Sequence, residues 1–196
     1  MPNEYDPMRR MLLTALAGFT LTRGSLASAA AGTAAVSGNS PVLVACFSRS
    51  GNTRVLAGVI HRSLKTDFFE IEPATPYPQD YFQTVAQAKN ERERGVKPPL
   101  KSRVADIERY HTVYLGFPVW GTSMPPVVQT FLSTHNFAGK LLIPFITHGG
   151  YGKGDSEDIL ASLAPAARRE KPLVMECDQE KRTTETVTGW LETLPG

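Results

Sequence analysis

Cysteine is scarce in these 196 residues, neither sign of charge dominates, and no long apolar run exists. Two cysteines, Cys46 and Cys177, are too few for a disulfide framework, and no His/Cys/Asp/Glu spacing suits a metal ion. Both lie in apolar runs, where a thiol serves as a small hydrophobe. A formal charge of +2 leaves no electrostatic footprint for nucleic acid. No run of about 18 apolar residues occurs, so no membrane span is expected in the mature chain. Three short signatures are missing as well: the phosphate loop GxxxxGK[ST], the nucleophile elbow GxSxG, and a dinucleotide GxGxxG after the first strand-like run. Their absence removes P-loop hydrolysis, α/β-hydrolase chemistry and a resident nicotinamide dinucleotide.

The N-terminus reads as an export signal. Arg9-Arg10 precedes a short apolar stretch, Met11 to Leu21, and Ala27-Ser28-Ala29 offers a small-residue cleavage site. The paired arginines resemble a twin-arginine signal, which carries folded proteins, although no aromatic follows the pair. Residues 1–29 are therefore expected to be removed and the protein to be periplasmic; the alternative is a cytoplasmic protein with an N-terminal extension. Residues 30–40, rich in Ala, Gly, Ser and Thr, read as linker. Setting aside residues 1–29, which hold three arginines and two acids, leaves a nearly neutral domain over residues 41–196.

From Pro41 onward, apolar runs alternate with helix-period segments. The runs are Val42–Phe47, Phe68–Ile71, Thr112–Phe117, Leu141–Thr147 and Leu173–Cys177. Most are continuous and β-branched, as parallel strands covered on both faces require. Helical stripes fall on Val55/Leu56/Val59/Ile60/Leu64, Phe82/Val85/Ala86, Val127/Val128/Phe131/Leu132 behind Pro125-Pro126, Ile159/Leu160/Leu163/Ala167, and Val187/Trp190/Leu191/Leu194. Five strands alternating with five helices predict an α/β fold, a doubly wound five-stranded parallel sheet with helices on both faces. The connection from Tyr77 to Tyr110 is longer than a minimal crossover, and long connections in such folds often pass over a ligand.

In an open parallel sheet, ligands lie beyond the carboxyl ends of the strands. Three unusual turns sit at three such ends. Ser48-Arg49-Ser50-Gly51-Asn52-Thr53 follows the first strand: hydroxyls, a Gly able to adopt positive φ and a helix start can aim N–H groups at one anion. Pro118-Val119-Trp120-Gly121 follows the third, and Thr147-His148-Gly149-Gly150-Tyr151-Gly152 the fourth. Aromatic side chains give a flat ring partners, and glycines let main-chain N–H groups approach its edge.

These three segments, in order and spacing, resemble the loops that bind flavin mononucleotide (FMN) in flavodoxin-like proteins; Tyr77-Pro78-Gln79-Asp80-Tyr81 and Lys97-Pro98 look like that family's segment between its second and third strands. The resemblance spans about Val42 to Cys177. It implies a sheet of order 2-1-3-4-5 and FMN as cofactor. Ser48, Ser50, Asn52 and Thr53 would hold the phosphate, with Arg49 and Gly51 adding backbone contacts. Trp120 and Tyr151 would flank the ring, and Gly121 or Gly150 would approach its edge. With that order, Cys46 and Cys177 stand three strand spacings apart, roughly 14 Å, beyond the reach of a disulfide.

A cysteine before an anion-binding turn also evokes low-molecular-weight tyrosine phosphatases. Their nucleophile needs an arginine six positions on, where this chain has Asn52, and Cys46 lies inside the strand. Two functions remain: an electron carrier serving a redox partner protein, or an FMN-dependent oxidoreductase taking hydride from NAD(P)H for a quinone or other small acceptor. Flavodoxin carriers are strongly acidic and this domain is not, which leaves room for the enzyme.

Overall fold

A computed structural model describes residues 32–34 and 40–177. The expected export signal, the rest of the expected linker and the helical stripe Val187 to Leu194 lie outside them. In chain order the elements are β1 (Gly32–Ala34), β2 (Val42–Cys46), α1 (Asn52–Leu64), β3 (Asp67–Glu70), α2 (Tyr81–Glu93), β4 (Ser102–Val104), a 3₁₀ turn (Ile107–Arg109), β5 (Thr112–Pro118), α3 (Pro126–Thr134), β6 (Leu141–His148), α4 (Ser156–Leu163), β7 (Arg168–Arg169) and β8 (Leu173–Glu176).

The main sheet is wholly parallel and runs β3-β2-β5-β6, with both β7 and β8 on the far side of β6. This is the 2-1-3-4-5 order, its last position shared by two short strands. The break has a local cause. Arg169 sits opposite Leu142 and Leu173 opposite Phe145, so the edge carries one residue more than β6 between those points. The Glu170 N–H reaches the Leu142 carbonyl at 2.9 Å, which places the polar groups of alternate β6 residues, Pro144 included, toward this edge. Proline has no N–H to give, and the ladder bulges there.

Alternation along β2 fills two cores. Leu43, Ala45 and Phe47 join Val113, Leu115 and Phe117 under α3 and α4, where Val127, Val128, Phe131 and Leu160 are buried. Val44 and Cys46 face the other way, with Phe145 and with Ala57 of α1. Helices thus cover both faces. Pro126 opens α3 where a missing N–H is harmless, and Ala164-Pro165 stops α4.

Three expectations are corrected. In α1, Val55, Val59 and Leu64 are exposed; the inward residues are Thr53 and Ala57, with Leu56 and Ile60 half-buried. A hydroxyl pair, Thr53 Oγ1 to Thr147 Oγ1 at 2.8 Å, sets this rotation and binds α1 to β6. In α2, Phe82, Val85 and Ala86 face outward while Thr84, Ala88 and Glu91 are buried. Polar contacts decide it: Tyr77 Oη donates to Glu91 Oε2 at 2.8 Å, Gln87 Nε2 to Glu91 Oε1 at 2.7 Å, and Thr84 Oγ1 to the Pro78 carbonyl at 2.8 Å. Finally, Leu173, Val174 and Met175 on edge strand β8 are exposed, not covered on both faces, and Cys177 follows the strand half-buried.

Both thiols are free. Burial pushes Cys46 up to about 12, with the Glu70 carboxylate adding and Arg54 opposing. Within the stretch read as linker, Gly32–Ala34 pairs in parallel with β4, register Gly32 to Ser102 through Ala34 to Val104. Among the described residues no helix is long and apolar enough to cross a membrane.

His135 ties β4 to α3. Its Nε2 accepts the Val104 N–H at 3.1 Å and its Nδ1–H meets the Phe131 carbonyl at 2.8 Å, so the ring is held neutral. Burial lowers its pKa below the ordinary 6.5, with the Phe131 carbonyl opposing and Arg103 adding. The unfolded chain therefore binds this proton at a higher pH than the folded one. Stability should fall as pH drops from 6.5 toward the lowered value, by up to about 1.4 kcal/mol per pH unit for one proton. Denaturation midpoints measured against pH should show that slope, and His135→Gln should flatten it.

Candidate functional site

The carboxyl ends of β2, β5 and β6 deliver three turns to one place. Phe47 extends the β2 ladder by one bond, its N–H to the Gly116 carbonyl at 2.9 Å, and the chain then turns. Ser48 Oγ accepts the Gly51 N–H at 3.1 Å, closing the turn, and Gly51 sits at φ 95°, a left-handed angle that favours glycine. Gly51 is the N-cap of α1, and its carbonyl accepts the Val55 N–H at 3.0 Å. Among the described residues no carbonyl accepts the amides of Asn52, Thr53 or Arg54. These are the orphan donors of a helix start, backed by the positive end of its dipole.

The turn's side chains are largely committed to holding it. The Thr53 hydroxyl is buried against Thr147, and the Asn52 amide donates to the Cys177 carbonyl, itself beside β6 through a Cys177 N–H to His148 carbonyl bond of 3.0 Å. Arg49 Nη1 donates to the Gln79 carbonyl at 3.1 Å. Anion donors here are thus mostly backbone, with Ser50 at the rim.

After β5, Trp120 and Ser123 exchange both backbone hydrogen bonds, at 2.9 and 3.3 Å, around Gly121-Thr122. The indole is gripped edge-on by Phe47, 5.2 Å between centroids, and by Tyr77 at 4.7 Å. Trp120 is both a packing residue and a wall. The turn is tied to the next loop where the Asp155 N–H meets the Thr122 carbonyl at 3.0 Å. Gly154 makes that approach possible: it has φ 56°, and a Cβ there would fall inside the Thr122 carbonyl oxygen. After β6, the Gly150 N–H donates to His148 Nδ1 at 3.0 Å.

Between these turns lies an open cleft, about 880 Å³ counted out to solvent. Of the residues expected from sequence, Arg49, Ser50, Asn52, Pro118, Val119, Trp120, Gly121, Thr147, His148 and Gly149 line it. Ser48, Gly51 and Thr53, of the same turn, are not among its lining residues. Gly150, Tyr151 and Gly152 do not line it, and Tyr151 is 73% exposed. Of the two aromatic residues expected to flank a ring, Trp120 lines the cleft and Tyr151 does not; Tyr81 of α2 also lines it.

The α2 face is what the sequence reading missed: Tyr81, Thr84, Val85, Ala88, Lys89 and Arg92 form one side of the cleft, and Cys177 closes an end. The long connection after Tyr77 does pass beside the site. Its only signal was the helix-spaced set Tyr81, Val85, Ala88 and Arg92, which reads equally well as an ordinary amphipathic helix face.

The family model described as flavodoxin matches residues 41–194. No curated protein matches. Among solved structures, a candidate flavoprotein from Bacteroides eggerthii is 29% identical, covering 79% of this chain and 97% of that one with a TM-score of 0.64. One from Bacteroides uniformis is 29% identical over 78% and 97%, TM-score 0.63. A flavoprotein of Lactobacillus acidophilus, solved in complex with FMN, is similar in fold at 18% identity over 76% and 97%, TM-score 0.58. With the matched model spanning most of the chain and the loops in its order, the protein belongs to the flavodoxin family, the FMN-binding family that its three turns resemble.

Proposed function

We propose that the cleft holds FMN and that the protein is an FMN-dependent oxidoreductase acting on a small-molecule acceptor. The FMN phosphate fits the amides of Asn52, Thr53 and Arg54 at the start of α1, with the Ser50 hydroxyl beside them. Trp120, immobilised by Phe47 and Tyr77, offers the flat ring a rigid face. Bound FMN supplies hydride and single-electron chemistry; the chain's own residues bind it, orient it and limit water. No dinucleotide fingerprint is present, so a reduced nicotinamide would visit rather than reside.

One observation favours an enzyme over a carrier. The cleft continues past the three loops onto α2, where Tyr81, Val85 and Ala88 make an apolar wall suited to a second small molecule. Protein purified without added cofactor is expected to be yellow and to release FMN in acid. It should then oxidise NADPH with a quinone at a rate that saturates in quinone. Colourless protein that ignores added FMN would end the cofactor reading. Bound flavin with no such turnover would return the protein to carrying electrons for a partner protein.

A further inference from the structure

The α2 side of the cleft carries charge of one sign. Arg49, Lys89 and Arg92 line the cleft and, among the described residues, no Asp or Glu does. Resting on the oxidoreductase reading, we infer that Lys89 and Arg92 form an anion subsite at the α2 wall, and that the second ligand is a flat aromatic compound bearing a sulfonate or carboxylate.

Helical spacing lays this subsite out. Tyr81, Val85, Ala88, Lys89 and Arg92 recur at three- and four-residue steps, so they line one face over about 16 Å. The apolar members come first and the two cations last, beside the Trp120 turn. Arg92 is held there: its Nη1 donates to the Trp120 carbonyl at 3.3 Å, and its guanidinium packs so closely on Gly121 that a Cβ would meet it at 3.0 Å. Among the described residues no carboxylate pairs with Arg92, so the rest of its planar donor fork is open to a second acceptor. Among the described residues Lys89 pairs with Glu93 alone, at 3.8 Å between two exposed side chains, a link easily exchanged for a ligand anion. An aromatic ring against Tyr81 and Val85 with its acid group on Arg92 and Lys89 matches both the apolar and the charged halves. The FMN phosphate does not need these cations, because α1 supplies its own donors.

The test is equilibrium binding to the oxidised, FMN-loaded protein, followed by perturbation of the flavin absorption. Naphthalene-2-sulfonate is expected to bind at least about tenfold tighter than neutral 2-acetonaphthone. Raising salt to about 0.5 M should erase most of that preference without touching the neutral ligand. Arg92→Gln should weaken the sulfonate about fivefold, and the double variant with Lys89→Gln about tenfold. Equal affinity for the two naphthalenes in the native protein overturns the subsite, whatever the variants do. So does loss of FMN from the variants, which would put the cations on the cofactor. A preference for NADP⁺ over NAD⁺ that Arg92→Gln abolishes, with sulfonate binding unchanged, also overturns it in favour of a nucleotide phosphate. The affinity comparisons read charge preference in protein that still carries flavin, whereas failure of the oxidoreductase reading appears separately as absent NADPH–quinone turnover.

Discussion

Gly154→Ala is expected to destabilise the protein by about 2–4 kcal/mol and to weaken FMN at least about tenfold. A left-handed angle costs an L-residue about 1–2 kcal/mol, and Gly154 sits at φ 56°. The remainder comes from sterics, since the new methyl group would occupy the Thr122 carbonyl oxygen. One of the two loops must move, and the Asp155 N–H to Thr122 carbonyl bond at 3.0 Å goes with it. That bond steadies the turn carrying Trp120, so the cofactor feels a change made outside the cleft. Gly139→Ala is the matched control: its φ is 74° but nothing lies within 4 Å of the added carbon. It should cost about 1–2 kcal/mol and leave FMN affinity alone. Denaturant titration and flavin fluorescence measure both quantities. Identical losses in the two variants, with FMN retained in each, would show that the Thr122 contact does not brace the site.

Strand and turn order were legible because parallel strands need continuous apolar runs, and Val42–Phe47, Thr112–Phe117 and Leu141–Thr147 are such runs. The turn that opens α1 was legible because a glycine, hydroxyls and a helix start coincide within six residues. Helix rotation was not legible. In α1 and α2 the stripes of Val55/Val59 and Phe82/Val85 lost to two buried polar contacts between residues outside one helix turn, the Thr53–Thr147 hydroxyl pair and Tyr77–Glu91, with Gln87 adding a bond to Glu91 within α2. Such bonds outweigh a few exposed methyl groups, because a buried polar group without a partner costs about 1–3 kcal/mol. The same polar rotation turned Lys89 and Arg92 toward the cleft, which is why half of the site had no signature. The split edge strand escaped notice too, since Pro144 reads as an ordinary residue of an apolar run until its missing N–H is placed beside β7 and β8.

FMN should bind at least about 100-fold more tightly than riboflavin at pH 8, because charged hydrogen bonds contribute about 1.5–3 kcal/mol each and only FMN carries the phosphate. The preference should shrink as pH falls through the second phosphate pKa near 6, since a monoanion gains less from the start of α1 than a dianion. Gly51→Ala isolates the turn: nothing lies within 4 Å of the added methyl, so only the φ of 95° is penalised. The turn would relax toward an angle an alanine tolerates and swing the Asn52 and Thr53 amides off the phosphate. FMN should then weaken by about tenfold, the 1–2 kcal/mol conformational term, while riboflavin stays within about twofold. Thr53→Ala is a different lesion. It strands the buried Thr147 hydroxyl, whose 2.8 Å partner is gone, and loosens α1 from β6, so it should weaken both flavins along with stability. If Gly51→Ala lowered the two flavins equally, the first turn would not be the phosphate site, and the anion donors would have to be sought among the cations of the opposite wall.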